Sequence, residues 1–231
     1  MSSTTVSQAI TSRFSARAFL PTPIPESVIA EMLGTARFAP SGTNTQPWKV
    51  YVLQGESLRR VSDAVCAAFD RVAENPALSK DYTPDYDYYP ATWTEPFLAR
   101  RRENGWGLYG LLGIGRTERD KMRQQMRRNF TFFDAPVGLM VTMSRSMGRG
   151  SIMDCGMFLQ NIMLLAREQG LDTCPQAAWV DYAQVVRPLI GAGADEMLLC
   201  GMALGYRDQF ALVNSFKAGR IPTQEFVSWL K

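Results

Sequence analysis

Residues 151–169 constrain the fold of this chain more than any other stretch. Their pattern predicts a long helix with apolar side chains around nearly its whole circumference: Ile152, Met153, Met157, Phe158, Leu159, Ile162, Met163, Leu164 and Leu165. A helix that is apolar all round has to be covered by protein on every side. In a chain of this length a subunit interface would cover it most simply. The alternative is a central helix in the core of its own chain.

The remaining pattern alternates helices with a few strands. Helices are predicted from Pro25 to about Arg37 and over residues 56–73, and buried strands over 48–53, 137–143 and 197–204. The strand at 48–53 is nearly all apolar, which is typical of a central strand, and Gly201 would allow close packing within the last strand. No Gly-x-Gly-x-x-Gly follows a strand, so a Rossmann dinucleotide site is not expected. These elements predict an α+β protein.

Length and composition favour one domain. The 231 residues contain no Pro/Gly/Ser-rich linker, low-complexity tract or internal repeat, so we expect a single domain over 1–231. The apolar runs are shorter than a membrane span. Because Met1–Thr5 lacks the basic start and apolar stretch of a signal peptide, we expect a cytoplasmic protein without a membrane partner.

The chain contains no histidine. This excludes Ser-His-Asp and Cys-His catalysis and most transition-metal sites, and no metal is expected. Four cysteines, Cys66, Cys155, Cys174 and Cys200, lack Cys-x-x-Cys spacing and are expected to be buried and reduced. Chemistry would then come from carboxylates, Lys/Arg, hydroxyls or a bound cofactor.

The net charge of +3 is mild, and one stretch, Arg116 to Arg128, is densely basic. Its spacing fits an exposed, solvated helix face. Binding of nucleic acid or of an anionic substrate is the alternative, and we expect no nucleic-acid partner.

Two N-terminal motifs point to a ligand. Arg13-Phe14-Ser15-Ala16-Arg17 places two guanidiniums and a hydroxyl close together, a donor set suited to phosphate. Residues 40–48, Pro-Ser-Gly-Thr-Asn-Thr-Gln-Pro-Trp, can bring backbone N–H groups and an amide side chain near a flat polar ligand. Together they predict a site for a phosphorylated, planar cofactor.

At this spacing the two motifs resemble the nitroreductase family of flavin-dependent oxidoreductases. The resemblance continues at residues 170–176, at Gly205-Tyr206, at Asn214 and at Arg220-Ile221-Pro222, and it omits only about 75–115. It implies a nitroreductase-like α+β fold in which helices flank a central mixed sheet. It also implies an intertwined homodimer with helix 151–169 at its centre, FMN at the dimer interface, and NADH or NADPH as electron donor.

The resemblance also implies the site residues. Arg13, Ser15 and Arg220 match phosphate ligands, and Phe14 lies within the same motif; Lys217 is near enough in sequence to assist. Arg17 falls where the family keeps a cation beside the flavin N1–C2 carbonyl, giving electrostatic support to the reduced ring, while flavin N5 carries the hydride and no side chain is catalytic. Two loops complete the set: one matches a segment that reaches the partner's flavin, the other a turn along the flavin edge, and their residues are Pro40, Ser41, Gly42, Asn44, Pro175, Gln176 and Ala177.

An aromatic-rich insertion at about 75–115 departs from compact members of the family. Eight aromatic residues are interleaved with prolines between Tyr82 and Tyr109. The segment is either a wall over the flavin that offers aromatic faces to a flat substrate, or an excursion that packs on the surface or on the partner subunit. The sequence leaves both open.

The resemblance implies an FMN-dependent NAD(P)H nitroreductase that reduces small nitroaromatic acceptors by a ping-pong mechanism. Quinone reduction and reductive dehalogenation are alternatives within the family. A flavin-binding protein without turnover is an alternative of another class, and a nucleic-acid-binding module using Arg116–Arg128 is a weaker one.

Overall fold

The computed structural model describes residues 5–231. In chain order the helices and strands are α1 (Val6–Ser12), α2 (Glu26–Ala36), β1 (Trp48–Gln54), α3 (Gly55–Glu74), α4 (Phe97–Leu111), α5 (Arg119–Arg127), β2 (Val137–Ser144), α6 (Arg149–Glu168), β3 (Asp172–Gln176), α7 (Ala183–Ile190) and β4 (Glu196–Gly205). Short 3-10 turns link several of them. None of the helices within residues 5–231 is long and apolar enough to cross a bilayer.

The four strands form one sheet in the order β1-β2-β4-β3, and each neighbouring pair is antiparallel. A parallel pairing occurs only as an isolated bridge between Ser15 and Thr173 among the described residues. The α+β class with a helix-flanked central sheet is confirmed. The expected mixed character of the sheet is limited to that bridge.

Helices cover both faces of the sheet. Helices α3 and α7 pack on one face together with an aromatic cluster that includes Phe130, Phe132 and Trp179. Helices α2 and α6 pack on the other face, against alternate apolar residues of β2 and β4. Within the cluster the rings of Phe132 and Trp179 stack with centroids 4.5 Å apart. Gly201 is confirmed as a close-packing position, because a Cβ there would overlap the Trp179 ring.

Two strand expectations need correction. The strand at 48–53 was expected at the centre, but β1 lies at the edge of the sheet. Residues 172–176 were not expected to be a strand, since Pro175–Ala177 matched a turn. Strand β3 forms the opposite edge of the sheet and pairs with β4 alone. Pro175, which has no N–H to donate, is tolerated there because an edge strand forms backbone hydrogen bonds on one side only. Both errors concern the neighbours of a strand in the sheet, and the local sequence does not determine those neighbours.

Within one chain α6 is buried on one side only. Phe158 and Ile162 are buried against the sheet, whereas Met153 is 68% exposed. The expectation that this helix is covered on every side is therefore not met by the chain alone. The four cysteines are all buried free thiols, as expected.

A buried carboxylate fastens β1 to the rest of the sheet. Glu196, at the start of β4, accepts hydrogen bonds from Lys49 Nζ (2.7 Å), Tyr51 Oη (2.9 Å) and Thr142 Oγ1 (2.6 Å). Gly193 N–H adds a fourth at 3.1 Å. Burial alone would raise the pKa of Glu196, but these hydrogen bonds outweigh it and lower the pKa to about 2. The ionised carboxylate thus ties β1, β2 and β4 together.

We expect Glu196→Gln to destabilise the fold in a pH-dependent way. A lowered pKa means that the carboxylate stabilises the fold above the ordinary glutamate pKa of about 4.3, and that this contribution is lost as pH falls through about 2. Glu196→Gln should lower the free energy of unfolding by about 1–3 kcal/mol at neutral pH. The difference from wild type should shrink as the solution is acidified, as measured by urea denaturation.

The exposed Glu56, which pairs with Arg59 at the surface, provides the matched control. Glu56→Gln should change stability by less than about 0.5 kcal/mol at any of these pH values. A Glu196→Gln deficit that stays constant from neutral to strongly acidic pH would contradict the role given to its charge.

Candidate functional site

Two cavities lie side by side on the described structure, and Arg17 is the residue that lines both. The first, called here the cationic cavity, has a volume of about 890 Å³ and is lined by Arg13, Phe14, Ser15 and residues of the C-terminal segment. The second, called the aromatic cavity, has a volume of about 600 Å³ and is lined by Pro175–Ala177 and many aromatic rings. A ligand that spans both would pass the Arg17 side chain.

The Arg13–Arg17 motif is extended, and this determines which side chains reach the cationic cavity. Its backbone runs beside β3: Ser15 forms a bridge with Thr173, and Ala16 N–H donates to Thr173 O at 3.1 Å. Because alternate residues of an extended segment point to opposite sides, Ala16 is buried in the core while its neighbours Ser15 and Arg17 face the cavity, which Arg13 and Phe14 also line. The Arg-x-Ser-x-Arg spacing thus brings the donor side chains of Arg13, Ser15 and Arg17 to one wall of the cavity.

Asn214 clamps this motif to the C-terminal segment. Its Oδ1 accepts from Arg17 N–H at 2.7 Å, and its Nδ2 donates to Ala18 O and Asp208 O, each at 2.8 Å. All hydrogen-bonding positions of the amide except one acceptor lone pair are used. The clamp fixes the backbone at Arg17 and brings the following residues, including Lys217 and Arg220, to the same cavity.

Six cations line the cationic cavity: Arg13, Arg17, Arg167, Arg207, Lys217 and Arg220, and no carboxylate of the described residues lines it. Beneath the wall, the buried Asp172 pairs with Arg167 at 2.8 Å and with Arg207 at 3.7 Å. Burial raises the pKa of Asp172 and the two guanidiniums oppose that shift. One buried carboxylate therefore fixes two of the cations, and an excess of positive charge faces the cavity. This is a donor set for a multiply charged anion such as phosphate.

The aromatic cavity is bounded on one side by the end of β3. Pro175, Gln176 and Ala177 all line it. The Gln176 side chain is committed to the protein: Nε2 donates to Asn129 O at 2.7 Å, and Oε1 accepts from Trp179 Nε1 at 3.3 Å. At Gln176 a ligand would therefore meet backbone rather than the side-chain amide.

The other walls of this cavity suit a flat ring. Eight aromatic side chains line it: Phe69, Tyr86, Tyr88, Tyr89, Tyr109, Phe130, Phe133 and Tyr182. Burial raises the pKa of Tyr182 to about 12 and that of the lining thiol Cys174 to about 11. Both groups are therefore neutral at physiological pH, and Cys174 is not a thiolate nucleophile.

The loop at residues 40–46 lines neither cavity of its own chain. Pro40, Gly42 and Asn44 are exposed and Ser41 is half-buried. Thr43, Asn44 and Gln46 have φ of 50°, 57° and 48°, in the left-handed region that non-glycine residues rarely adopt. The loop is held by Gln46 N–H donating to Ser41 Oγ at 3.0 Å and by Gly42 N–H donating to the buried Asp154 of α6 at 3.2 Å. The loop is therefore strained, held in place by hydrogen bonds and exposed to solvent, and it is shaped to present its polar groups outward.

The structure thus sorts the sequence-predicted residues into three groups. Arg13, Phe14, Ser15, Arg17, Lys217 and Arg220 meet at the cationic cavity, Pro175–Ala177 lie at the aromatic cavity, and the 40–44 loop stands apart from both. Sequence reasoning missed Asn104, Arg167 and Arg207, which also line the cationic cavity. No local motif marks these three, because each comes from a separate segment.

The family model described as "Nitroreductase family" matches residues 10–206. A chloronitrobenzene nitroreductase from Comamonas testosteroni is 36% identical over 225 residues, covering 97% of this chain and 96% of that protein.

Solved structures agree with this match. The FMN- and NADPH-dependent nitroreductase NfnB from Sphingopyxis sp. strain HMH superposes with a TM-score of 0.92 at 37% identity, covering 98% of this chain and 99% of that one. The FMN-dependent nitroreductase NfnB from Mycobacterium smegmatis, solved in complex with NADPH, gives a TM-score of 0.90 at 29% identity, with 97% of each chain covered.

We expect Asn214→Ala to destabilise the protein by about 1–3 kcal/mol, because it leaves the Arg17 N–H and two carbonyl groups without their partner. Thermal and urea denaturation measure this effect. Asn104→Ala is the control: Asn104 lines the same cavity without a side-chain hydrogen bond among the described residues, and its loss should change stability by less than about 0.5 kcal/mol. Equal stabilities of the two variants would show that the clamp contributes nothing.

Proposed function

Since the chain belongs to the nitroreductase family, we infer that it is an FMN-dependent oxidoreductase that transfers electrons from NAD(P)H to nitroaromatic compounds. One observation carries this conclusion for the chain's own residues: a cationic cavity and an aromatic cavity meet at Arg17. FMN carries a phosphate at one end and a flat ring system at the other, so its two ends match the two cavities in charge and in shape.

The residues divide the work as follows. Arg13, Ser15, Lys217 and Arg220, which line the cationic cavity, would hold the phosphate by charge-assisted hydrogen bonds. Arg17, whose backbone Asn214 fixes, lies where the two cavities meet and would stabilise negative charge on the ring. The backbone of Pro175–Ala177 would border the ring edge. Bound FMN supplies the two-electron chemistry between NAD(P)H and the acceptor.

No side chain has to transfer a proton. The lining phenol Tyr182 and thiol Cys174 have raised pKa values and stay neutral, and water can reach the site from the surface. The protein therefore contributes binding, orientation and electrostatics. The aromatic walls select acceptors that are flat, which suits nitroarenes and also quinones.

The active unit we propose is a homodimer with a shared site. Apolar side chains are exposed on α6 (Met153, 68%), on α1 (Val6, 71%) and near the C-terminus (Trp229, 82%). Covering these positions with a second copy would remove an aggregation liability. The 40–44 loop, which lines neither cavity of its own chain, would then supply Pro40, Ser41, Gly42 and Asn44 to the partner's FMN.

The remaining features fit one domain over 1–231 in a reducing compartment. The insertion at about 75–115 contributes Tyr86, Tyr88, Tyr89 and Tyr109 to the aromatic cavity, which supports the wall interpretation over surface packing. Four free cysteines are typical of a cytoplasmic protein. In the basic stretch, Arg127 pairs with Asp70 and Lys121 with Glu118, as on a solvated helix face.

The proposed activity is tested on the purified protein. It should be yellow and hold about one FMN per chain; NADPH or NADH should bleach the visible spectrum, and nitrobenzene should restore it. Colourless protein that cannot be reconstituted with FMN would overturn the proposal. In another outcome, NAD(P)H bleaches the flavin, oxygen restores its absorbance only slowly, and no nitroarene or quinone restores it. That result would favour the non-catalytic alternative.

We expect Arg220→Ala to weaken FMN binding by about tenfold to a hundredfold, since a charge-assisted hydrogen bond contributes about 1.5–3 kcal/mol. Turnover per bound flavin should stay close to wild type, because Arg220 lines only the cationic cavity. Fluorescence titration of apoprotein with FMN gives the Kd. The control is Arg59→Ala, which removes an exposed arginine paired with Glu56; a Kd shared by all three proteins would show that Arg220 does not hold the phosphate.

We expect Met153→Asp to dissociate the dimer and to release FMN together with it. Ile162 is a poorer probe, because it is fully buried in the core of its own chain and its substitution would unfold the chain. Sedimentation velocity and flavin absorbance follow the two losses. Ala67→Asp, at an exposed position of α3, is the control and should stay dimeric and yellow. A folded Met153→Asp monomer that retains FMN would contradict the shared site.

A further inference from the structure

The tyrosine strip, residues 86–89, is a partition between two cavities. Tyr86, Tyr88 and Tyr89 line the aromatic cavity on one side. The same residues line a third cavity, of about 1100 Å³, on the other side. Within one chain open space lies on both sides, so the chain's own packing does not fix the strip, and the position of the strip determines the width of the aromatic cavity.

The strip is anchored by a buried charge on Asp85, the residue that precedes it. Asp85, whose side chain is 5% exposed, accepts a hydrogen bond from Leu198 N–H at 2.8 Å. Its carboxylate forms an ion pair with Arg145, which follows β2, and lies 3.5 Å from Arg187 Nε of α7. Tyr86 adds one more fastening, since its Oη donates to Leu199 O at 2.8 Å.

The anchor occupies a gap in the sheet. Strand β3 pairs with β4 only between Gly201 and Gly205, so residues 196–200 of β4 have no strand on that side among those described. The backbone groups that the anchor bonds lie in this part of β4, which β3 does not reach. Leu198 N–H donates to the Asp85 carboxylate, and Leu199 O accepts from the Tyr86 hydroxyl. Buried backbone groups need such partners. The start of the strip therefore takes the place of a strand.

Beyond Tyr86 the strip is held loosely. Tyr88 and Tyr89 are 54% and 59% exposed. Their rings contact each other at a centroid distance of 4.7 Å, and they reach the rest of the protein through Tyr88–Tyr86 at 6.2 Å and Tyr89–Trp93 at 5.6 Å. Exposed ring pairs of this kind stabilise a segment less than a buried charge that is held by its partners. The order of the outer tyrosines thus depends on Asp85.

We propose that Asp85, held by Arg145 and Arg187, is a positioning residue that sets the size limit for the electron acceptor. It does so by fixing the tyrosine strip as the outer wall of the aromatic cavity. The inference rests on the proposed function, because it takes the acceptor to be a flat ring bound in that cavity. Asp85 lines neither the cationic nor the aromatic cavity, so it acts through the strip and not on the cofactor.

Asp85→Asn is the sharpest test: the amide oxygen can still accept from Leu198 N–H, and only the charge that holds the two arginines is lost. The readout is the ratio of kcat/KM for nitrobenzene to that for 1-nitronaphthalene. This ratio does not depend on how much enzyme is folded, so mere destabilisation leaves it unchanged. We expect it to fall about tenfold, the lower end of the range in which apolar pockets discriminate by size, while the Kd for FMN changes less than about twofold.

Tyr86→Phe removes only the hydrogen bond to Leu199 O and should shift the ratio in the same direction by a smaller factor, which keeps the test available if Asp85→Asn folds poorly. Asp63→Asn, which breaks a surface pair with Arg59, is the matched control and should keep the wild-type ratio. Wild-type ratios in both Asp85→Asn and Tyr86→Phe would overturn the inference.

A second arm separates this inference from the proposed function. Benzoate is flat, is not reduced, and is titrated into the oxidised FMN-loaded protein while the flavin absorbance is followed. Its Kd should rise at least about fivefold in Asp85→Asn and stay unchanged in Asp63→Asn. If no nitroarene is reduced, the proposed function fails, and this Kd still decides the inference: an Asp85→Asn value equal to wild type overturns it.

Discussion

Everything at the site depends on the hydrogen-bonding requirements of β4. All ten residues of this strand are buried, so each of its backbone groups needs a partner within the protein. Strand β2 pairs with β4 on one side from Glu196 to Leu204, with a register shift at Leu199. The other side is divided: β3 pairs with residues 201–205, and the Asp85–Tyr86 anchor bonds Leu198 and Leu199. The two segments that share this edge are the ones that border the aromatic cavity, so completing the strand also builds the site.

The cationic cavity depends on the outer side of β3, the strand that pairs with β4. β3 is the outermost strand, and the Arg13–Arg17 motif runs beside it through the bridge at Thr173. Its inward residue, Ala16, joins the core, and this forces its neighbours Ser15 and Arg17 to face outward. Asn214 then closes the C-terminal segment over them. Charge accumulates there because six cations from distant segments are gathered around a cavity that no described carboxylate lines.

Much of this was accessible from sequence, and the failures have physical causes. The motifs at 13–17 and 40–48 identified the family, and α2, α3, β2 and β4 were placed to within one or two residues. An apolar run such as 48–53 reports that both faces are covered, not that both edges are paired, so β1 was wrongly placed at the centre. β3 was missed because its strand character comes from pairing with β4 in spite of Pro175. Arg167 and Arg207 line the cationic cavity and pair with the buried Asp172, and no local sequence pattern predicts these contacts.

The apolar residues around helix α6 belong to two different surfaces, one buried in the chain and one exposed on it. Its apolar circumference was read as burial on all sides, yet the chain buries Phe158 and Ile162 and leaves Met153 in solvent. Asp154, beside that exposed position, holds the strained 40–46 loop through Gly42 N–H. Whatever covers the outer face of α6 therefore also meets the loop. If the cover is a second copy, each chain presents Asn44 where it faces its partner. Loss of the dimer and loss of the cofactor then have a single structural cause.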